Sequence, residues 1–331
     1  MQFRFTDEQE ALASLAQRVA SDLSTLAPGN DVSDLAILVE TGLSGLTISE
    51  LDGGAGATLV EAAIVAEQFG QALVPSTVTG SFLIGPAALD LVYEKSVRED
   101  IAVGIVAGRP CSVVVGEDLM WPPKGPGIAW GWRPDAVVLS PLDDGLSLLE
   151  DPLVGHATED STLCVAPTKL VGPPSALGDS AEAQHFLAVT NVVTACLLLG
   201  HMRATLELAV NYAREREQFG VKIGSFQAVK HLCAEMLVDT ESSHSIAYGA
   251  AALVAQSSDP VAAARSAACA KAWCGEAAIR VCEGAIQVHG GIGFTWESPL
   301  HLYLRAAHAV RASFMSPAAA LDEITRFDQW I

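Results

Sequence analysis

The chain has 331 residues, of which 50% are hydrophobic and 18% charged. That is a globular composition with material for two or three domains, and it excludes a disordered chain. The formal net charge of −20 argues against nucleic acid or an anionic membrane surface as a partner, so any anionic ligand must be held by a local cluster of cations or backbone N–H groups.

The first ten residues, M-Q-F-R-F-T-D-E-Q-E, are acidic and polar and do not read as a signal or transit peptide. No apolar run reaches membrane-spanning length by this reading; the stretch Ala195–Leu199 is flanked by Asn191 and His201. Thr6 is placed to N-cap a helix over 6–24. Further helical patterns fall near 32–43, 58–71 and 77–95, punctuated by D-G-G-A-G-A at 52–57 and by Val74-Pro75. Residues 1–100 therefore read as a helical domain.

From Ile101 the pattern changes to short apolar runs separated by Pro/Gly turns: Cys111–Val115, Ala136–Leu139, Leu146–Leu149 and Thr162–Val165. These are strand signals and predict a small β domain over 101–175. From residue 176 to 331 Pro and Gly become sparse and Ala abundant. Long helices are predicted at 182–214, 225–257 and 260–288, with Asp259-Pro260 breaking the second from the third. Shorter ones follow at 298–312 and 317–329. Antiparallel helices of this length predict a four-helix bundle. The fold class is thus mainly α with a small central β domain.

The seven cysteines (Cys111, Cys164, Cys196, Cys233, Cys269, Cys274, Cys282) are odd in number and scattered, with no C-x-x-C. That pattern favours neither a disulfide framework nor a zinc site, and fits a reduced, cytoplasmic protein. His231, His244 and His289 have no partner spacing for a metal.

Two stretches carry chemistry. Arg214–Gln227 reads R-E-R-E-Q-F-G-V-K-I-G-S-F-Q; Gln287–Arg305 reads Q-V-H-G-G-I-G-F-T-W-E-S-P-L-H-L-Y-L-R. The guanidinium of Arg216 at a helix end suits a pyrophosphate. Phe219 beside it suits a purine or ribose face. Gly290, Gly291 and Gly293 allow close backbone approach, and Gln287 offers an amide. Taken singly, a G-G-x-G run or a Gly-capped helix end is more often plain structure than a ligand site.

In their order and spacing the two stretches resemble the C-terminal signature of the acyl-CoA dehydrogenases, flavoenzymes that desaturate acyl-CoA thioesters between C2 and C3. The resemblance spans nearly the whole chain, loosely at the N-terminal end. It implies that family's fold: an N-terminal helical domain, a middle β domain and a C-terminal four-helix bundle. It also implies FAD as cofactor, with Arg216, Phe219, Gln227, Gln287, Gly290 and Gly291 on the adenine and pyrophosphate side of a site shared between subunits. An acyl-CoA substrate and an electron-transfer acceptor follow as partners.

The sequence departs from that family in two respects. The β region lacks a segment like T-E-P-x-x-G-S-D, although Trp121, Trp130 and Trp132 are present. The catalytic carboxylate is also missing. Ungapped counting from G-G-x-G places Phe314 at the family's glutamate, and no Asp or Glu occurs from Ser298 through Leu321. The other family location falls on Thr190 and Asn191, with no acid from Ala183 to Leu206. Glu297 matches a structural family position. Glu241 remains as a displaced base in a competent homo-oligomer. The resemblance is nearest to the short subunits of heteromeric actinobacterial enzymes of steroid side-chain degradation. It implies a heterotetramer in which a second subunit carries the glutamate, with a steroid-CoA among the candidate substrates. A flavin-free scaffold is the remaining alternative. No residue is assigned as catalytic.

Overall fold

The structure is a computed structural model that describes residues 5–26, 35–123, 127–142, 145–148, 165–168 and 180–326. Helix α1 (Asp7–Asp22) starts as predicted at Thr6, whose hydroxyl accepts from the Gln9 N–H while the Gln9 side chain accepts from the Thr6 N–H. This reciprocal pair satisfies two orphan donors of the first turn. Next come α2 (Ala36–Glu40), α3 (Leu59–Gln71), α4 (Ser76–Thr79), a π-helical turn over Gly80–Ile84, α5 (Gly85–Ala88) and α6 (Lys95–Val106). Thr58 caps α3 with the same box, using Glu61.

Helix α6 runs past the expected change of character at Ile101. I-A-V-G-I-V reads as an apolar strand run, but its Ile101, Ala102 and Ile105 share one buried helical face. Strands begin at β1 (Cys111–Gly116) and continue with β2 (Gly127–Trp130), β3 (Val137–Leu142), β4 (Gly145–Leu148) and β5 (Val165–Thr168). Three expected strand runs correspond to β1, β3 and β4. The fourth begins outside the described residues and meets β5 at Val165. Strand β2 was hidden by its Gly-Pro-rich surroundings. The sheet order is β4-β3-β1-β2-β5; β1 and β3 are parallel and the other pairs antiparallel.

The bundle consists of α7 (Ala181–Glu215), α8 (Gln227–Gln256), α9 (Pro260–His289) and α10 (Leu300–Ala312), followed by α11 (Pro317–Arg326). Asp259 caps α9 through two backbone N–H groups, with Pro260 at the first helical position. Helix α7 is central, packing on α9, α3, α8 and α10. It is long and apolar enough to pass for a membrane span, contrary to the sequence expectation, but 89% of its most apolar stretch is buried inside the protein. Its apolarity therefore serves the core of the bundle.

Two glycines set how α3 meets α7. A Cβ on Gly70 would lie 2.1 Å from the Leu197 carbonyl oxygen, and one on Gly200 would lie 2.2 Å from that of Glu67. The helices thus cross backbone to backbone. Beside the crossing, buried Glu67 accepts from the Tyr248 hydroxyl at 2.6 Å and pairs with Arg203. A buried carboxylate is tolerated only with such partners.

Candidate functional site

Helices α7 and α9 run in the same direction, so the loop after each emerges at one end of the bundle. Arg216 is the C-cap residue of α7, its N–H bonded to the Tyr212 carbonyl. Its side chain is exposed and has no ion-pair partner among the described residues. The chain then makes a two-residue hairpin. Strand β6 (Glu217–Gln218) pairs with β7 (Val221–Lys222) around Phe219 and Gly220, both at positive φ, +55° and +78°. A tight hairpin turn requires this backbone conformation. Phenylalanine is a poor occupant of it, yet Phe219 stands there with 92% of its surface exposed. A strained and exposed aromatic ring is a reason to look for function. Gln227 opens α8 and its amide contacts the His231 ring at 2.8 Å.

On the α9 side, Gln287 is exposed in the last turn. Gly290 takes φ +64°, ψ −140°, a conformation confined to glycine. Added Cβ atoms at Gly290 and Gly291 would meet nothing within 4 Å. The backbone at this turn is therefore open to an approaching group. Phe294 and Trp296 just beyond are also highly exposed.

The two loops are tied together by a contact that the sequence reading missed. The Tyr212 ring, one turn before Arg216, stacks on His289, one residue before Gly290, with centroids 4.2 Å apart and planes 19° from parallel. His289 Nδ1 lies 2.8 Å from the Ala285 carbonyl oxygen, which fixes the ring. The structure thus gathers all six sequence-predicted site residues at one end of the bundle, on α7, its hairpin, the start of α8 and the end of α9.

The position expected for a base looks very different. Phe314 is fully buried. Its ring packs edge-on against Trp130 at 5.2 Å and Phe186 at 6.2 Å, and Phe186 in turn meets Trp121 at 4.7 Å. Its backbone is stitched to the loop after β1: the Phe314 N–H donates to the Leu119 carbonyl at 2.7 Å, and the Trp121 N–H donates to the Phe314 carbonyl at 3.0 Å. The Trp130 indole N–H donates to Ser313 Oγ at 3.1 Å. Phe314 is held at φ +66°.

The second family location converges on the same place. Thr190 and Asn191 are fully buried on α7, and the Asn191 amide reaches Met315 Sδ at 3.3 Å. The two locations are therefore neighbours in the core, Asn191 touching Met315 next to Phe314 and its aromatic cluster. Glu241 pairs with Arg203 at 3.3 Å. Glu297 is exposed in the turn before α10. Among the described residues no group of three metal-ligating side chains occurs.

The "Acyl-CoA dehydrogenase, C-terminal domain" family matches residues 181–313. Acyl-CoA dehydrogenase IpdE2 of Mycolicibacterium smegmatis is 30% identical over 311 residues, which cover 91% of both chains. The chain belongs to the acyl-CoA dehydrogenase family. FAD is the cofactor of that family. Acyl-CoA dehydrogenase FadE34 of Mycobacterium tuberculosis is 33% identical over 98% of this chain, which spans only 48% of that longer relative. A solved structure of the ChsE4-ChsE5 complex from Mycobacterium tuberculosis superposes with a TM-score of 0.80 at 24% identity, over 98% of each chain. The chain therefore has the family fold along with the family sequence.

Proposed function

We propose that this chain is the non-catalytic subunit of a heteromeric acyl-CoA dehydrogenase. It would lend the adenine and pyrophosphate side of an FAD site to a second subunit, which grips the flavin ring and carries the glutamate. One observation supports this reading above the others: the side chain at the expected base position is a fully buried phenylalanine in an aromatic cluster.

The residues present suit one half of the cofactor. The bare turn at Gly290 and Gly291, the exposed guanidinium of Arg216, without an ion-pair partner among the described residues, and the exposed ring of Phe219 form an open surface. A diphosphate could be bonded there by Arg216 in a bidentate manner, with Phe219 against an adenosine face. Gln287 and Gln227 add amide donors at its edges. Among the described residues, Phe314, Trp130 and Phe186 form a packed and buried aromatic cluster. When bound, FAD supplies the hydride acceptor for desaturation. The proton must go to a carboxylate, whose general-base help is worth roughly 10²–10⁴ in rate, and that carboxylate would come from the partner. The ChsE4-ChsE5 complex, of which one chain has the same fold, supports the hetero-oligomer. A steroid-CoA substrate and an electron-transfer acceptor extend this reading from the sequence resemblance.

The test is the visible absorbance of bound flavin, and acyl-CoA-dependent acceptor reduction, for the chain alone and co-expressed with a second dehydrogenase subunit. Flavin and turnover are expected only in the co-expressed complex. A yellow, active isolated chain would overturn the proposal. A complex that is colourless in both preparations would favour the flavin-free scaffold.

A further inference from the structure

Three residues before Ser313, the carbonyl of Val310 accepts a 2.6 Å hydrogen bond from Lys271 Nζ, which also donates to Thr194 Oγ1 at 3.0 Å. Lys271 is only 1% exposed. Its ammonium thus joins α9 to α7 and to the last turn of α10, from which the Phe314 segment departs. The partners are neutral oxygens. The titratable or charged groups acting on it are the Cys274 thiol of its own helix and the Arg311 guanidinium of α10, a like charge; α7 faces it with the hydroxyl of Thr194. Burial pushes the Cys274 thiol up to about 12, so it stays neutral and offers no counter-charge. No carboxylate from α7, α8, α10 or α11 acts on the lysine among the described residues.

A buried cation without an anionic partner is unstable relative to its neutral form. We propose that Lys271 is a proton-operated lock on the Ser313–Ser316 segment: protonating it loosens the seating of the Phe314 ring, and losing the proton tightens it. The sign follows from linkage. Burial lowers the Lys271 pKa to about 7 in the closed state. An opened segment that wets the amine restores a value near 10.4. Between those values the open form binds one more proton than the closed form, so opening becomes harder as pH rises. Below about 7 both forms are charged and the dependence disappears. For its consequence the lock rests on the proposed reading of Phe314 as the residue at the expected base position, but its own test needs neither flavin nor a partner.

The experiment is native-state hydrogen exchange on the full chain from pH 6.5 to 9, corrected for intrinsic exchange rates, following the Phe314 N–H that bonds Leu119. The opening constant of the wild type is expected to be flat below about pH 7 and to fall roughly tenfold per pH unit above it. Lys271→Met should be flat throughout, because a methionine of similar length carries no proton. Lys271→Arg, which stays charged at every pH, should also be flat, with weaker protection. It serves as the decisive variant should Lys271→Met fail to fold. A wild-type slope that survives in either variant overturns the lock. So does a slope seen equally at the α3 amides, which would mark global unfolding.

Discussion

Tyr212 and His289 lie 77 residues apart in sequence and stack at 4.2 Å, with Arg216 four residues beyond one ring and Gly290 next to the other. This contact is what turns two loops into one surface. Neither ring needs to touch a ligand for its loss to matter, because it fixes the separation between a guanidinium and a bare turn.

Tyr212→Leu keeps an apolar side chain but ends the stack. An aromatic pair contributes about 0.5–1.5 kcal/mol beyond its buried area, so a small drop in thermal stability is expected. The sharper expectation is a lower flavin-to-protein ratio in the purified heteromeric complex, restored by Tyr212→Phe. Unchanged flavin retention in Tyr212→Leu would separate this stack from the cofactor surface.

Phe314 makes a different kind of forecast. Removing a buried phenylalanine ring costs about 3–5 kcal/mol, and Phe314→Ala should lower stability to urea accordingly. The backbone at φ +66° adds a contrast. A non-glycine residue there is disfavoured by roughly 1–2 kcal/mol, so Phe314→Gly should be less destabilised than Phe314→Ala, the reverse of the usual order. Equal losses would mean that the segment relaxes once the ring is gone.

Much of this architecture was legible in the sequence because it is written locally. Thr6 with Gln9, and Asp259 with Pro260, mark helix starts by chemistry that acts within one turn. The helices of the bundle fall within about two residues of expectation at most ends for that reason. The departures have physical causes too. I-A-V-G-I-V at 101–106 carries a strand-like composition that the buried face of α6 overrides. The apolar face of α7 signals a membrane span as readily as a bundle core, and only its packing decides. At the site, the convergence of Arg216 and Gly290 could be inferred from helix direction and spacing. The Tyr212–His289 stack and the aromatic fill around Phe314 could not, because both depend on residues distant in sequence. That Phe314 falls at the expected base position was legible in the sequence; the cluster that buries its ring was not.

His201 offers a test of core electrostatics. It is buried on α7 beside the Tyr303 ring, with Nδ1 lacking a partner among the described residues. Burial lowers its pKa to about 3. An unfolded histidine titrates near 6.5, so between these values the unfolded state binds the extra proton and stability falls as pH falls. The slope is about 1.4 kcal/mol per pH unit. Between pH 6.5 and 5 the wild type should therefore lose about 2 kcal/mol more than His201→Gln, measured as the difference in urea unfolding free energies. Carboxylates titrating in the same range cancel in that difference. Parallel curves would show that the ring is solvated or paired.

The last prediction concerns Arg216, whose exposed guanidinium has no ion-pair partner among the described residues of a chain with net charge −20. If it clamps a pyrophosphate, its loss removes a charge-assisted hydrogen bond. Such bonds contribute about 1.5–3 kcal/mol, or roughly ten- to hundredfold in affinity. Arg216→Ala should yield a folded heteromeric complex depleted in flavin and partly refilled by excess FAD. Arg216→Lys should fall between, since lysine keeps the charge but not the planar fork. A residue that serves only as a solvated helix end predicts otherwise: flavin content would stay at the wild-type level in both variants. Flavin stoichiometry, with circular dichroism to establish folding, separates the two cases. The native backbone at Arg216 gives the measurement its specificity. The residue ends α7 through its own N–H to Tyr212 and anchors the hairpin through its carbonyl to the Ile223 N–H at 2.8 Å. Both bonds survive truncation to alanine, so a loss of flavin in a folded Arg216→Ala complex would report the guanidinium alone.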